Sequence, residues 1–334
     1  MHESPDTSSS GTLRAVVAVP LAEEYCRLIE ELEPRVQVVR DSSLTPPMRW
    51  PADWSGDPDF TRTAEQQAAF AALIDSADVL FGIPDVDAGH LARTVAANPN
   101  LRWVMTTAAG GGSTIQTAHL ASEDLGRVLF STTAGVHAGP LAEFAVFGVL
   151  AGAKDLPRLH ADKAAHSWPD RWEMRQVDAM TVLVVGLGGI GAECARRFHA
   201  PGARVWGTSR TGEPVAGVEK LIPLDELRAA VAEVDAIIVT LPGTDQTHHL
   251  IGQDVLGAVR PGATVVNVGR GSVIDEEALL SALDDGRVAF AALDVFEVEP
   301  LPADSALWSH PRVLISPHTA AISSQEEERI ARRF

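Results

Sequence analysis

The run Gly186-Leu187-Gly188-Gly189-Ile190-Gly191 constrains the fold more than any other stretch of this chain, because of what flanks it. Residues 180–185, Met-Thr-Val-Leu-Val-Val, have the apolar, β-branched content of a strand buried on both faces. Residues 192–200 read as a helix. Between them the glycines stand at G-x-G-x-x-G spacing. The first allows a tight turn, the second lets the backbone approach a pyrophosphate, and the third lets helix and strand pack closely. Glycine-rich turns of other α/β proteins can share this spacing. The strand before and the helix after select the dinucleotide reading, with the diphosphate at the positive end of the helix.

Composition narrows the rest. The 334 residues are enough for two domains with separate cores. No uncharged apolar run approaches the roughly 20 residues that a membrane span needs, so no membrane partner is expected. Residues 1–11 are polar and Ser-rich, lack the basic-then-apolar pattern of a signal peptide, and read as a short disordered leader. Cys26 and Cys194 lie far apart on expected helices and suggest neither a disulfide nor a metal site, which fits a reducing cytoplasm. A net charge of −18 argues against a nucleic-acid partner. It also means that a small anionic substrate would need a specific local cation.

Short apolar runs alternate with helical patterns throughout, which predicts α/β architecture with parallel sheets. Strands are expected at 13–19, 36–40, 79–83, 103–107 and 128–131, with helices at 22–32, 64–75 and 87–97. The connection 41–61, rich in Pro, Trp and Asp, is too long for an ordinary loop and reads as mobile or as a lid. A second α/β set follows a helix at 141–151, with strands at 181–186, 204–207, 236–240, 264–268, 290–293 and 313–316. This is the pattern of a doubly wound nucleotide-binding domain. Residues 323–334 are helical in pattern.

Three polar residues follow expected strand ends, where ligands bind in open α/β sheets. Arg270 follows Val265-Val266-Asn267-Val268-Gly269, Glu299 follows Leu293-Asp294-Val295-Phe296, and His318 follows Ile315-Ser316-Pro317. An arginine can grip a carboxylate through two parallel hydrogen bonds. A histidine beside a carboxylate can exchange a proton near neutral pH. Each alone reads more readily as an ordinary surface, turn or capping residue; together, in a chain with the fingerprint, they form a workable catalytic set.

These stretches resemble the D-isomer-specific 2-hydroxyacid dehydrogenase family. The resemblance runs through 185–191, 266–279, 293–301 and 316–320, with Leu141-Ala142-Glu143-Phe144 similar to the family's interdomain helix and Thr107-Ala108-Ala109-Gly110-Gly111 similar to its substrate loop. It implies a Rossmann nucleotide-binding domain (136–317) and a smaller, flavodoxin-like α/β substrate domain (1–135 and 318–334). It implies that Arg270 binds the substrate carboxylate and carbonyl, that His318 is the general acid–base, and that Glu299 pairs with it. Backbone amides at Ala109, Gly110 and Gly111 would complete the carboxylate site. Cofactor contacts would come from Gly186, Gly188, Gly189, Ile190, Gly191, Leu241, Pro242 and Val268, with Asp294 at the nicotinamide amide. The implied chemistry is hydride transfer between a nicotinamide cofactor and a small 2-oxoacid. A homodimer through the nucleotide-binding domain, closure of two lobes, and a C-terminal helix running beyond Phe334 are also implied.

The cofactor can be read one step further. The position about 20 residues past the glycines, where NAD sites carry Asp or Glu, is Ser209, and Arg210 follows it. No carboxylate stands there to repel a 2′-phosphate and a guanidinium is placed to bind one, so NADP(H) is the expected partner, with NAD(H) the alternative. Within the family, Ser209-Arg210 points towards glyoxylate and hydroxypyruvate reductases. A dinucleotide-sensing, corepressor-like interaction protein of the same fold is the competing reading. No metal is expected: His248 and His249 read as exposed loop residues. His137 reads as structural or solvated rather than part of the site. Trp308 could cover the substrate, meet a dimer partner or pack in the core, and Trp50 and Trp54 could belong to a lid. Glu326, Glu327 and Glu328 read as an exposed, dipole-stabilised helix start.

Overall fold

The computed structural model describes residues 11–108 and 110–334, so the expected leader lies almost wholly outside the described residues. Contacts divide the chain into two units. The described residues up to His137, with Ile322–Phe334, form one; Ala138–Ala321 form the other.

The first unit is built on β1 (Leu13–Val17), α1 (Glu23–Leu32), β2 (Val36–Val39), α2 (Ala64–Asp75), β3 (Val79–Phe81), α3 (Ala88–Ala97), β4 (Trp103–Met105), α4 (Gly112–Thr117), α5 (Ser122–Arg127) and β5 (Leu129–Ser131). Its five strands form a parallel sheet in the order β2-β1-β3-β4-β5, the flavodoxin-like order. Local chemistry sets the ends: α2 starts on a capping box in which Thr63 accepts from the Gln66 amide and Gln66 accepts from the Thr63 amide.

The long connection is anchored rather than free. Trp54 is buried edge-to-face on Phe81, Leu44 joins the core, and Arg49 pairs with the buried Asp53. Burying an indole of this size offsets the ordering entropy of the surrounding loop. Trp50 stays half-exposed under the Arg49 guanidinium.

The C-terminal helix Glu326–Arg333 packs on α1 through buried Ile330 and Ala331, and Phe334 stacks on Trp103. Glu326 corrects the expectation of an exposed acidic start. It is 6% exposed, and its Oε1 meets His137 Nε2 at 2.8 Å. His137 is therefore structural, as a partner for a carboxylate that could not be buried alone.

The second unit contains α6 (Ala138–Ala153), α7 (Leu156–Ala164), β6 (Thr181–Val185), α8 (Gly189–His199), β7 (Arg204–Thr208), β8 (Lys220–Leu221), α9 (Leu227–Ala230), β9 (Ala236–Val239), α10 (Gln253–Leu256), β10 (Ala263–Asn267), α11 (Glu276–Asp284), β11 (Val288–Leu293) and β12 (Val313–Ile315). The parallel sheet runs β12-β11-β10-β9-β6-β7-β8, a doubly wound order that reverses between β6 and β9. Every residue of β6, β9 and β10 is buried, as expected for strands covered on both faces. The sequence reading omitted β8. It is two residues long, too short for any periodicity.

The second crossing between units falls after Ala321 rather than at 317/318. His318, Thr319 and Ala320 stay with the second unit because their amides hydrogen-bond Asp294.

Candidate functional site

The point of reversal between β6 and β9 is where a doubly wound sheet opens a crevice. A cavity of about 650 Å³ lies there, lined by residues that follow β6, β7 and β9. At the end of β6, Gly186 has φ +107° and its amide donates to Thr208 Oγ1 at 2.9 Å. A Cβ on Gly191 would lie 2.1 Å from the Gly186 carbonyl oxygen, so only glycine lets α8 start this close to the strand. A Cβ on Gly188 would meet nothing within 4 Å. That open space faces a helix start whose first-turn amides have no carbonyl four residues back within α8, which fits a pyrophosphate.

Six of the expected cofactor residues line this cavity: Gly186, Gly188, Ser209, Arg210, Leu241 and Pro242. Gly189, Ile190 and Gly191 form the first turn of α8 instead. Val268 does not line it; it is 2% exposed and packs in the core, because its side chain continues the buried face of β10. Thr208 and Thr240 line it and were missed, although each is the polar residue at an apolar strand's carboxyl end. Ser209 and Thr211 bond to each other, their hydroxyls 3.1 Å apart. Arg210 is exposed and makes no hydrogen bond or ion pair among the described residues, and Asp245 is the one carboxylate in the lining.

Arg270, Glu299 and His318 follow β10, β11 and β12, three neighbouring parallel strands. Asn267, 1% exposed, shapes the Arg270 turn: its Oδ1 accepts from the Gly269 amide and its Nδ2 donates to the Arg270 carbonyl, both at 3.0 Å. An asparagine inside an otherwise apolar strand was the signal for it. The Arg270 side chain is exposed, donates through Nη1 to the Gly269 carbonyl, and runs beside Gly243 of the loop that carries the cavity wall.

Glu299 Oε1 accepts from the Phe296 amide at 3.0 Å, and Oε2 lies 2.7 Å from His318 Nδ1. This contact occupies one ring nitrogen and leaves Nε2 as the one available for proton exchange. His318 and Glu299 also line an apolar cavity of about 440 Å³ with Trp308, whose Nε1 donates to the Pro302 carbonyl at 2.9 Å. Asp294 lines neither cavity. It is 1% exposed and bonds to the segment that carries His318.

Residues 146–320, more than half of the chain, match the family described as D-isomer specific 2-hydroxyacid dehydrogenase, NAD binding domain. The chain belongs to this family. It is 38% identical over 189 residues to a glyoxylate/hydroxypyruvate reductase A from Salmonella choleraesuis, covering 56% of this chain and 60% of that protein. The chain spans about three fifths of the length of the curated relatives it matches. Among solved structures it is similar to a D-isomer specific 2-hydroxyacid dehydrogenase from Xanthobacter autotrophicus Py2 in complex with NADPH and MES (TM-score 0.73, 28% identity, 97% of this chain and 95% of that one). It is also similar to an NADPH-dependent glyoxylate/hydroxypyruvate reductase from Sinorhizobium meliloti (TM-score 0.53, 29% identity, 57% and 98%).

The 2-hydroxyacid dehydrogenase match contains the glycine turn and all three strand-end residues, while the 107–111 loop lies outside it. Of that loop, Ala109 falls outside the described residues. The Gly111 amide donates to the Ala108 carbonyl at 3.1 Å, and a Cβ there would strike Thr106 Oγ1. The Gly111 amide is thus engaged within the loop rather than turned outward to an anion.

One cluster was invisible in the spacing of this chain. His249 Nε2 lies 2.9 Å from Glu297 Oε1, and ligand-type atoms of His249, Asp275 and Glu297 fall within 4.8 Å of one another. Folding joins three loops there, and His249 is half-buried rather than loop-exposed. Both cysteines are free and buried; burial pushes the Cys194 thiol up to about 12 and that of Cys26 to about 11, so neither is a nucleophile at neutral pH.

Proposed function

We propose that this chain reduces small 2-oxoacids to D-2-hydroxyacids with NADP(H), in the manner of a glyoxylate/hydroxypyruvate reductase. The observation that carries the reading is the 2.7 Å pair of His318 and Glu299 at the strand ends next to Arg270, in the unit that holds the glycine turn.

The nicotinamide, when bound, supplies the hydride. His318 supplies the proton through Nε2 to the substrate's carbonyl oxygen, with Glu299 holding Nδ1 and favouring the protonated ring. Arg270 carries positive charge to a 2-oxoacid carboxylate in a chain of net charge −18, which meets the need for a local cation. Gly110 and Gly111 are the backbone candidates for the same carboxylate, and Gly110 is the better donor because the Gly111 amide is engaged. Arg210, unpaired among the described residues, with Ser209 and Thr211 beside it, is suited to a 2′-phosphate. The NADPH named for the Xanthobacter and Sinorhizobium proteins supports the same preference.

The test is absorbance-followed turnover of glyoxylate, hydroxypyruvate, pyruvate and phenylpyruvate with NADPH and with NADH. Turnover of at least one oxoacid with higher efficiency on NADPH is expected. Tight NADPH binding without turnover of any of them would favour the sensor reading.

A second copy of the chain is the expected partner. Phe147 on α6 is half-exposed, and Trp168, which follows α7, is 99% exposed, an apolar surface that pairing through the second unit would cover. Light scattering on the purified chain should give twice the 35.5 kDa monomer mass.

A further inference from the structure

Four hydrogen bonds from the segment 316–320 end on one residue, Asp294. The Ser316 hydroxyl donates to Asp294 Oδ1 at 2.6 Å, and the Thr319 and Ala320 amides donate to the same oxygen at 2.9 Å each. The His318 amide donates to the Asp294 carbonyl at 2.9 Å. Asp294 and Ser316 are both buried, so water does not compete for these bonds, and a buried carboxylate needs such donors. His318, at the centre of the gripped segment, has φ +52°, the left-handed region that a residue with a Cβ disfavours. Such a conformation persists only where the surroundings over-determine it.

We propose that Asp294 and Ser316 are positioning residues, which hold His318 in the left-handed turn from which its Nδ1 meets Glu299 and its Nε2 is presented for proton transfer. The proposal rests on the reading of His318 as the proton donor. Asp294 projects from the end of β11 and the gripped segment follows β12, so the grip spans two paired strands and sets the histidine against the sheet rather than against its own loop. Without the Ser316 hydroxyl, Asp294 Oδ1 retains two amide donors, which keeps the fold, but the carboxylate is released to turn and the segment relaxes.

The test compares Ser316→Ala with Ser316→Thr, which keeps a hydroxyl. Ser316→Ala should lower kcat about tenfold, the worth of one charge-assisted hydrogen bond, with KM and the NADPH dissociation constant within about twofold of the parent. Ser316→Thr should recover most of kcat. A readout independent of turnover is the hydrogen-bonded ring N–H of His318 by proton NMR, identified by its loss in His318→Gln. It should be resolved in the parent and in Ser316→Thr, and broadened away in Ser316→Ala.

An unchanged ring proton and kcat in Ser316→Ala, or no such ring proton in the parent, overturns the proposal. So does a loss of NADPH affinity with kcat retained, which would return Asp294 to the cofactor contact implied by the family resemblance. If the parent chain reduces no 2-oxoacid, the functional reading fails by itself, and the ring proton decides the positioning role.

Discussion

Glu299 holds the Nδ1 edge of His318 at 2.7 Å, and the two residues stand 19 apart in sequence at the ends of neighbouring parallel strands. Strands β11 and β12 pair Leu293 with Ile315, so the loops that follow them leave the sheet side by side. The contact is a consequence of sheet order.

That pair gives the first prediction. His318→Ala should lower kcat by about 10²–10⁴, the range for loss of a general acid, with NADPH binding retained. Glu299→Gln should reduce kcat less, because a neutral acceptor still orients the ring but no longer favours its charge. Steady-state kinetics with cofactor titration by fluorescence separates the two effects.

Arg210→Ala should cut the ratio of NADPH to NADH efficiency by about 10- to 100-fold, the worth of one charge-assisted contact. Ser209→Asp should move the ratio in the same direction by repelling the 2′-phosphate. Steady-state efficiencies with the two cofactors check both; a ratio unmoved by either change would remove Arg210 from the site.

Gly191→Ala and Gly188→Ala should fail differently. The first places a Cβ 2.1 Å from the Gly186 carbonyl and should cost about 1–3 kcal/mol of stability through overpacking. The second meets open space, so stability should hold while NADPH affinity falls. Urea midpoints and cofactor titrations on the pair separate architecture from binding.

Hydrogen bonds from Arg196 and Arg197 hold the Glu193 carboxyl down at about 2, against an ordinary value of 4.5. The fold favours the ionised form, so this stabilisation is fully present above the ordinary value and is lost as pH falls through about 2. Glu193→Gln should be less stable than the parent at pH 7, and the gap should close on acidification. Thermal midpoints across that window are the measurement.

Glu276 has the opposite sign. Burial raises its carboxyl above 4.5, while Oε1 accepts from the Glu297 amide at 2.8 Å. The fold here favours the neutral form, so stability is present below the ordinary value and is lost as pH rises through the raised one. Glu276→Gln keeps the acceptor and should be more stable than the parent at pH 7, with no difference well below 4.5.

Much of the architecture was readable before any coordinates. The strands covered on both faces showed as continuous apolar runs, and the glycine turn was flanked as a nucleotide site requires. Errors clustered where local pattern carries no information. Strand β8 has two residues, and Glu326 looked solvated within a run of three glutamates. Trp54 could not be distinguished from Trp50, although one is buried on Phe81 and the other half-exposed.

Most strands, the nucleotide turn and the three residues at strand ends follow from the amino-acid order, because apolar patterning and glycine spacing are local; helices α4, α5 and α7 were not expected from it. Which polar groups meet is set by folding: His137 with Glu326 across 189 positions, Asp294 with Ser316 across 22, His249 with Glu297. Such pairs depend on strand order and register, which bring distant segments to the same edge. Burial then makes each partner necessary, since a charged or polar group taken out of water must find its hydrogen bonds within the protein.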